Sequence, residues 1–247
     1  SGLGINYTFN AATTTAFPTV TQVPGTRFFN PDTVVLNASI TQNRAITVTH
    51  VLNLNTYILT QGGSNLTFSS ITGTGSVSAD SLSAITVILG GGISPVGTLR
   101  LTPGFQKTGN IQMNRAGTLI LGSDVIFDAT GPTPASNCLI LSNGTVDASG
   151  RTLTFVSILG EMPISRTIGL LTVSNTTNLI FGLPGYTAGN AFTFPLNTFS
   201  GYPAAINNLT VNRTNALQFA AGQGFTINGT LDLIAGVLIN NNNVLTF

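Results

Sequence analysis

The segment Leu209–Phe247, LTVNRTNALQFAAGQGFTINGTLDLIAGVLINNNNVLTF, decides how the chain is read. Within it Leu209-Thr210-Val211, Leu217-Gln218-Phe219, Phe225-Thr226-Ile227 and Leu231-Asp232-Leu233 each flank a polar residue with two apolar ones. That alternation marks three-residue strands with one wet and one buried face. Corners containing Asn, Gly and Ala separate them. A longer spacing lies above the short one: Leu209 to Leu231, Leu217 to Val237 and Phe225 to Leu245 each span 20 to 22 residues. Three short strands then fill one lap, and the next lap repeats them. The expected fold is all-β, a right-handed parallel β-helix (β-solenoid) with three short strands per turn of about 20–22 residues. The hand follows from the strong preference for right-handed parallel crossovers.

Working outward, the same beat predicts a solenoid over residues 33–247, with loop excursions near 90–97, 130–137, 160–167 and 182–205. Residues 1–32 differ. Thr13-Thr14-Thr15, Pro18, Pro24-Gly25 and Asn30-Pro31 interrupt them, and isolated aromatics stand between. This segment is expected to be an N-terminal cap or an arm that docks on another subunit. Gly131-Pro132-Thr133-Pro134 pushes a corner outward, because proline cannot sit in a central ladder. No eleven-residue stretch shows a helical apolar period free of Gly, Pro or Thr runs. The start, Ser1-Gly2-Leu3-Gly4, lacks a charged leader and is expected to belong to a mature or trimmed chain. The last strand, Val244–Phe247, carries no polar cap, as in a piece of a longer solenoid or a subunit whose edge another copy covers.

Charged residues make up 6% of the chain and apolar ones 42%, so the wet faces are covered by Thr, Ser and Asn. Such apolar content argues against disorder. Eight Arg and Lys, spread singly with a net charge of +1, leave no footprint for nucleic acid. No run of eighteen apolar residues occurs, so no membrane span is expected. Sparse charge gives little protection against self-association, and copies of the chain, or further repeats of the same protein, are the expected partners.

Candidates for chemistry are few. Cys138 stands alone before Leu139-Ile140-Leu141 and reads as a buried small apolar residue. His50 has no second His nearby and reads as a surface or corner residue. Gly90-Gly91-Gly92 is followed by neither a helix signal nor a Lys-Ser/Thr pair, so it reads as a corner rather than a phosphate cradle. Asp124 and Asp128 sit at opposite ends of one short strand, too far apart to act as a pair. Asp147 stacking over Asp124, with Arg151 between, is the one acidic constellation expected. No cofactor, metal or catalytic residue is expected. A loop set holding Tyr186, Phe192, Phe194, Phe199 and Tyr202 either forms a ligand-binding surface or folds down over a sheet rim. Eight Asn-x-Ser/Thr sequons, at Asn6, Asn37, Asn65, Asn143, Asn175, Asn208, Asn212 and Asn228, are glycosylation candidates. Outward threonines such as Thr154, Thr172, Thr210 and Thr226 could match an ice lattice, but they alternate with Gln218, Asp232 and Arg100, and strand propensity explains them.

Ile206-Asn207-Asn208-Leu209-Thr210-Val211-Asn212, followed by Phe225 to Leu233 and Gly236-Val237-Leu238-Ile239, resembles the repeats of large secreted surface proteins of Bacteroidota and related bacteria. Those proteins are similar to filamentous adhesins with a right-handed parallel β-helix, and many are exported by the type IX system. The resemblance covers 206–247 well, 110–155 fairly and 1–60 poorly. It implies an extracellular or cell-surface structural or adhesive protein, a filament or adhesin whose sequons fit a glycoprotein, and carries over no catalytic residue. The second reading is a carbohydrate-binding or carbohydrate-processing β-helix, with surface glycans as partners.

Overall fold

A computed structural model describes residues 7–9, 15–16, 27–29, 33–80, 83–88, 96–128, 137–156, 162–182 and 191–247. Every strand pairing among them is parallel, and no helix occurs among the described residues. The fold is all-β with long parallel sheets, consistent with a β-solenoid.

Three faces recur in each lap. The first carries Ile46, Leu66, Ile85, Ile111, Leu139 and Ile164 in direct register. On the second, Leu52 pairs with Ile71, Leu119 with Val146 and Val146 with Leu171. The third is a nine-stranded sheet that runs from Ile40–Gln42 to Leu231–Ala235 without a break in strand order. Strands 192–194, 217–219 and 238–239 form one further three-stranded sheet, and 204–206, 225–227 and 245–246 form another. Strand 192–194 lies next to 162–166, and Phe199 bridges to Leu171, so both small sheets continue the first two faces.

Alternation explains the register. At Phe225-Thr226-Ile227 and Leu217-Gln218-Phe219 the outer residues are buried and the middle one is not. Slipping a strand by one residue would turn its apolar set to water. Leu209 lies over Leu231 and Phe225 over Leu245, as the spacing predicts. Leu217 pairs instead with Leu238, one residue beyond the expected Val237. Gly236 takes the corner at φ +86°, and a Cβ there would lie 2.0 Å from the Arg213 carbonyl oxygen, so the chain enters the next strand one residue later. Val237 is left exposed while its carbonyl accepts from Leu217 N.

Lap length also departs from expectation. Laps of 18 to 22 residues hold near both ends, but Ile111 to Leu139 takes 28 and Leu179 to Leu209 takes 30. The added residues leave at corners, so pairing survives. The separate strands expected at 110–113 and 118–121 are joined as one bent strand, Asn110–Leu121, stacked on Asn137–Asp147. Of the segment 1–32, expected to stand outside the lap pattern, Arg27-Phe28-Phe29 pairs in register with Ile46-Thr47-Val48 and with Tyr7-Thr8-Phe9. Thr15-Ala16 likewise pairs with Val34-Val35, and the remainder of that segment lies outside the described residues, as do the excursion tips near 90–95, 129–136, 157–161 and 183–190.

The interior is a continuous apolar column containing a spine of phenylalanines. Phe127, Phe155 and Phe181 stack with centroids 5.0 Å apart and planes 9° apart. Phe194 meets Phe181 edge-on at 5.5 Å, stacks on Phe219 at 5.1 Å, and Phe219 stacks on Phe225 at 4.8 Å. Cys138 is buried in the same core. Arg115, Asp128 and Arg213 are the buried charged residues among those described, and the Arg115 guanidinium donates to Ser69 O and Oγ at 2.8 and 2.7 Å and to Ala116 O at 3.1 Å.

Candidate functional site

The site is built where the second face breaks. In one lap Leu171 is overlaid by Phe199, and in the next Ala204 is overlaid by Phe225. Between the buried Phe199 and Ala204, Ser200-Gly201-Tyr202-Pro203 is exposed and displaced outward. Ala204 is small enough to leave interior space, which the Phe199 ring fills by meeting Phe225 at 5.4 Å. The displaced residues wall a groove of about 320 Å³ against Val173 and Ser174 of the preceding lap.

Tyr202 is the aromatic residue on its surface, 37% exposed. Its phenol oxygen accepts from Phe199 N at 3.1 Å, and its ring stands edge-on to the Phe199 ring at 6.2 Å. Burial of the hydroxyl pushes its pKa above the ordinary phenol value, against smaller opposing effects from the Phe199 amide and the Arg166 charge. Ser200 Oγ accepts from Thr172 Oγ1 at 3.0 Å, and Ser174 Oγ accepts from Gly150 N at 3.1 Å. No lining side chain other than the phenol is ionisable.

Of the aromatic set read from the sequence, Phe192, Phe194 and Phe199 are buried and join the spine. A buried ring presents no face to a ligand, so among the described members of this set Tyr202 is what reaches the surface. Tyr186 lies outside the described residues.

Below the groove one corner is tied by a ladder of side-chain hydrogen bonds. Asp124 Oδ1 accepts from Thr152 N (2.8 Å), and Asn178 Nδ2 donates to Thr152 Oγ1 (3.2 Å). Asn178 Oδ1 in turn accepts from Asn207 and Asn208 Nδ2 (3.1 and 2.9 Å), and Asn208 Oδ1 accepts from Thr230 N (2.8 Å). This corrects the expected acidic stack. Thr152, not Asp147, lies over Asp124, because Asp147 belongs to the preceding face, where it pairs with Ile120 and Thr172. Its carboxylate accepts from Ser149 N, and Arg151 Nε donates to Leu121 O. Asp128 instead pairs with Lys107 at 3.2 Å. Among the described residues no group of three His, Cys, Asp or Glu is placed to hold a metal ion. His50 Nδ1 sits 3.1 Å from Thr49 Oγ1.

The sequons divide by burial. Asn37, Asn65, Asn175 and Asn228 are exposed, Asn143 and Asn208 half-buried, and Asn212 is buried. Asn6 lies outside the described residues. The Nδ2 atom that a glycan would need is engaged at Asn208 with Asn178 and at Asn228 with Ile206 O.

A second exposed feature is the lap 231–247. Leu231, Leu238 and Leu245 pack on the core from one side, whereas Leu233, Ile234, Val237, Val244 and Phe247 are 48 to 73% exposed. No helix of the described residues is long and apolar enough to cross a membrane. No protein family, no curated protein and no solved structure matches the chain.

Proposed function

We propose that the chain is a right-handed parallel β-helix serving as a structural or adhesive element outside the cell or on its surface, without catalysis, and built to stack end to end. The observation that carries this reading is the stacking of parallel laps in register over one continuous apolar core, with Thr, Ser and Asn rather than charged residues on the wet faces. Laps of this kind stack on one another at the parallel strand spacing of about 4.8 Å. Further laps would come from a second copy of the chain or from further repeats of the same protein. Sparse charge supports the reading, since little electrostatic repulsion opposes stacking. The resemblance to secreted surface repeats supports the location and the hand, and right-handed crossovers are the rule for parallel strands.

Sedimentation and electron microscopy of the purified chain over a wide concentration range test it, with antibody labelling of intact source cells. Linear particles longer than one chain, shortened to single rods by Val237→Lys with Val244→Lys, are expected, together with label on unbroken cells. A monomer at every concentration, or label only after lysis, would overturn the proposal.

A further inference from the structure

We infer that the groove at Ser200–Pro203 is a subsite for a neutral saccharide. This deepens the adhesive half of the preceding reading, and rests on it for biological setting but not for chemistry.

A pyranose ring offers a flat C–H face and a rim of hydroxyls that both donate and accept. A complementary site needs a braced aromatic surface, side-chain hydroxyls nearby and small residues that let the ring approach. The groove supplies all three. Tyr202 is held at both ends, by the Phe199 amide on its oxygen and by the Phe199 ring on its edge. Little rotamer entropy is left to lose on binding. Ser200 already accepts from Thr172, so its own O–H remains available to donate outward. Gly201, Ala204 and Ala205 keep the remaining wall low. Its volume, about 320 Å³, lies at the small end of the roughly 300–1,000 Å³ typical of ligand pockets. That suits one or two sugar rings of a chain that runs on into solvent.

Charge decides among saccharides. The lining side chains include no cation, and Arg166, whose charge reaches the phenol, already donates to the carbonyls of Gly169, Thr167, Leu196 and Ile168, so a uronate or sulfated sugar would lose water from its anion without a partner in the groove. A neutral hexose or pentose polymer loses nothing of the kind. The wall is made of four exposed residues, Ser200–Pro203, carried between the buried Phe199 and Ala204.

The test is titration of the intact chain with cellohexaose, mannohexaose, maltohexaose and xylohexaose, followed by NMR shifts or calorimetry, with decaproline as the peptide probe. Gly201→Trp is the blocking variant. Gly201 lines the groove and a Cβ there meets nothing within 4 Å, so the indole adds bulk at the groove wall without displacing the core. Tyr202→Ala removes the stacking face, and Tyr202→Phe keeps it. Binding of at least one hexaose is expected, weakened about tenfold or more by Gly201→Trp and Tyr202→Ala and little by Tyr202→Phe. The inference is overturned if no hexaose binds at about 10 mM, where even a very weak site fills. Binding unchanged by Gly201→Trp, or binding of decaproline alone, overturns it as well. End-to-end stacking is read separately by sedimentation, so failure of one reading leaves the other measurable.

Discussion

Replacing Phe155 by alanine probes the interior at its most regular point. The ring is fully buried, overlies Phe127 on one side and lies under Phe181 on the other, and is in backbone register with both. Truncation of a buried Phe costs roughly 3–5 kcal/mol in transfer and cavity terms. Each stacked partner adds about 0.5–1.5 kcal/mol beyond burial. With centroids at 5.0 Å on both sides, Phe155→Ala is expected at the top of the range, about 5 kcal/mol. Phe155→Leu keeps most of the volume and loses only the ring stacking, so about 1–3 kcal/mol is expected. Equilibrium urea unfolding gives both differences. Hydrogen exchange adds their location: protection should fall in strands 125–128, 152–156 and 178–181 more than in 231–235, because each lap leans on its neighbours. A loss below about 1 kcal/mol for Phe155→Ala, or equal losses for the two variants, would refute the continuous aromatic stack.

The corner ladder predicts that Asn178→Ala, which removes the bonds to Thr152, Asn207 and Asn208, lowers stability by about 1–2 kcal/mol in thermal melts. Gly182→Ala should cost roughly 2–3 kcal/mol, since Gly182 sits at φ +89° and its Cβ would lie 1.9 Å from the Asn212 carbonyl oxygen of the overlying lap. Ultraviolet titration, with Tyr202→Phe as the difference reference, should show one phenol ionising above the ordinary value near 10. Because the folded value is the raised one, this hydroxyl's contribution to stability is complete below the unfolded pKa. It is lost as pH climbs through the folded one. A Tyr202 signal at or below the ordinary value would contradict the burial of its hydroxyl.

The C-terminal laps were legible because their corners are short. Between Leu209 and Leu231 only a few polar residues turn the chain, so apolar spacing reports stacking directly. The one-residue error at Val237 shows the limit of spacing: Gly236 absorbs the corner through a backbone conformation that apolar pattern does not encode. In the middle, excursions lengthen laps unevenly, which is why Asp147 was expected over Asp124 although Thr152 lies there. Burial of Cys138 could be read from its apolar neighbours. The aromatic spine could not, because it crosses from the third face at Phe181 to the first at Phe194 and the second at Phe225. Nor could the groove be located. Ser200–Pro203 reads as an ordinary turn until Phe199 is seen over Leu171 and Ala204 under Phe225. The signal that could have found it is a run of four exposed residues between two buried ones.

The account rests on each lap lying over the last, so that distance along the stack grows with lap number. Spin labels on outward positions of the third face measure this directly, by dipolar spectroscopy. Ile126 and Asp232 are four strands apart in the nine-stranded order, and Thr41 and Asp232 are eight apart. At about 4.8 Å per strand, backbone separations of about 19 and 38 Å are expected. A Thr41–Asp232 separation no greater than the Ile126–Asp232 one would contradict the stack.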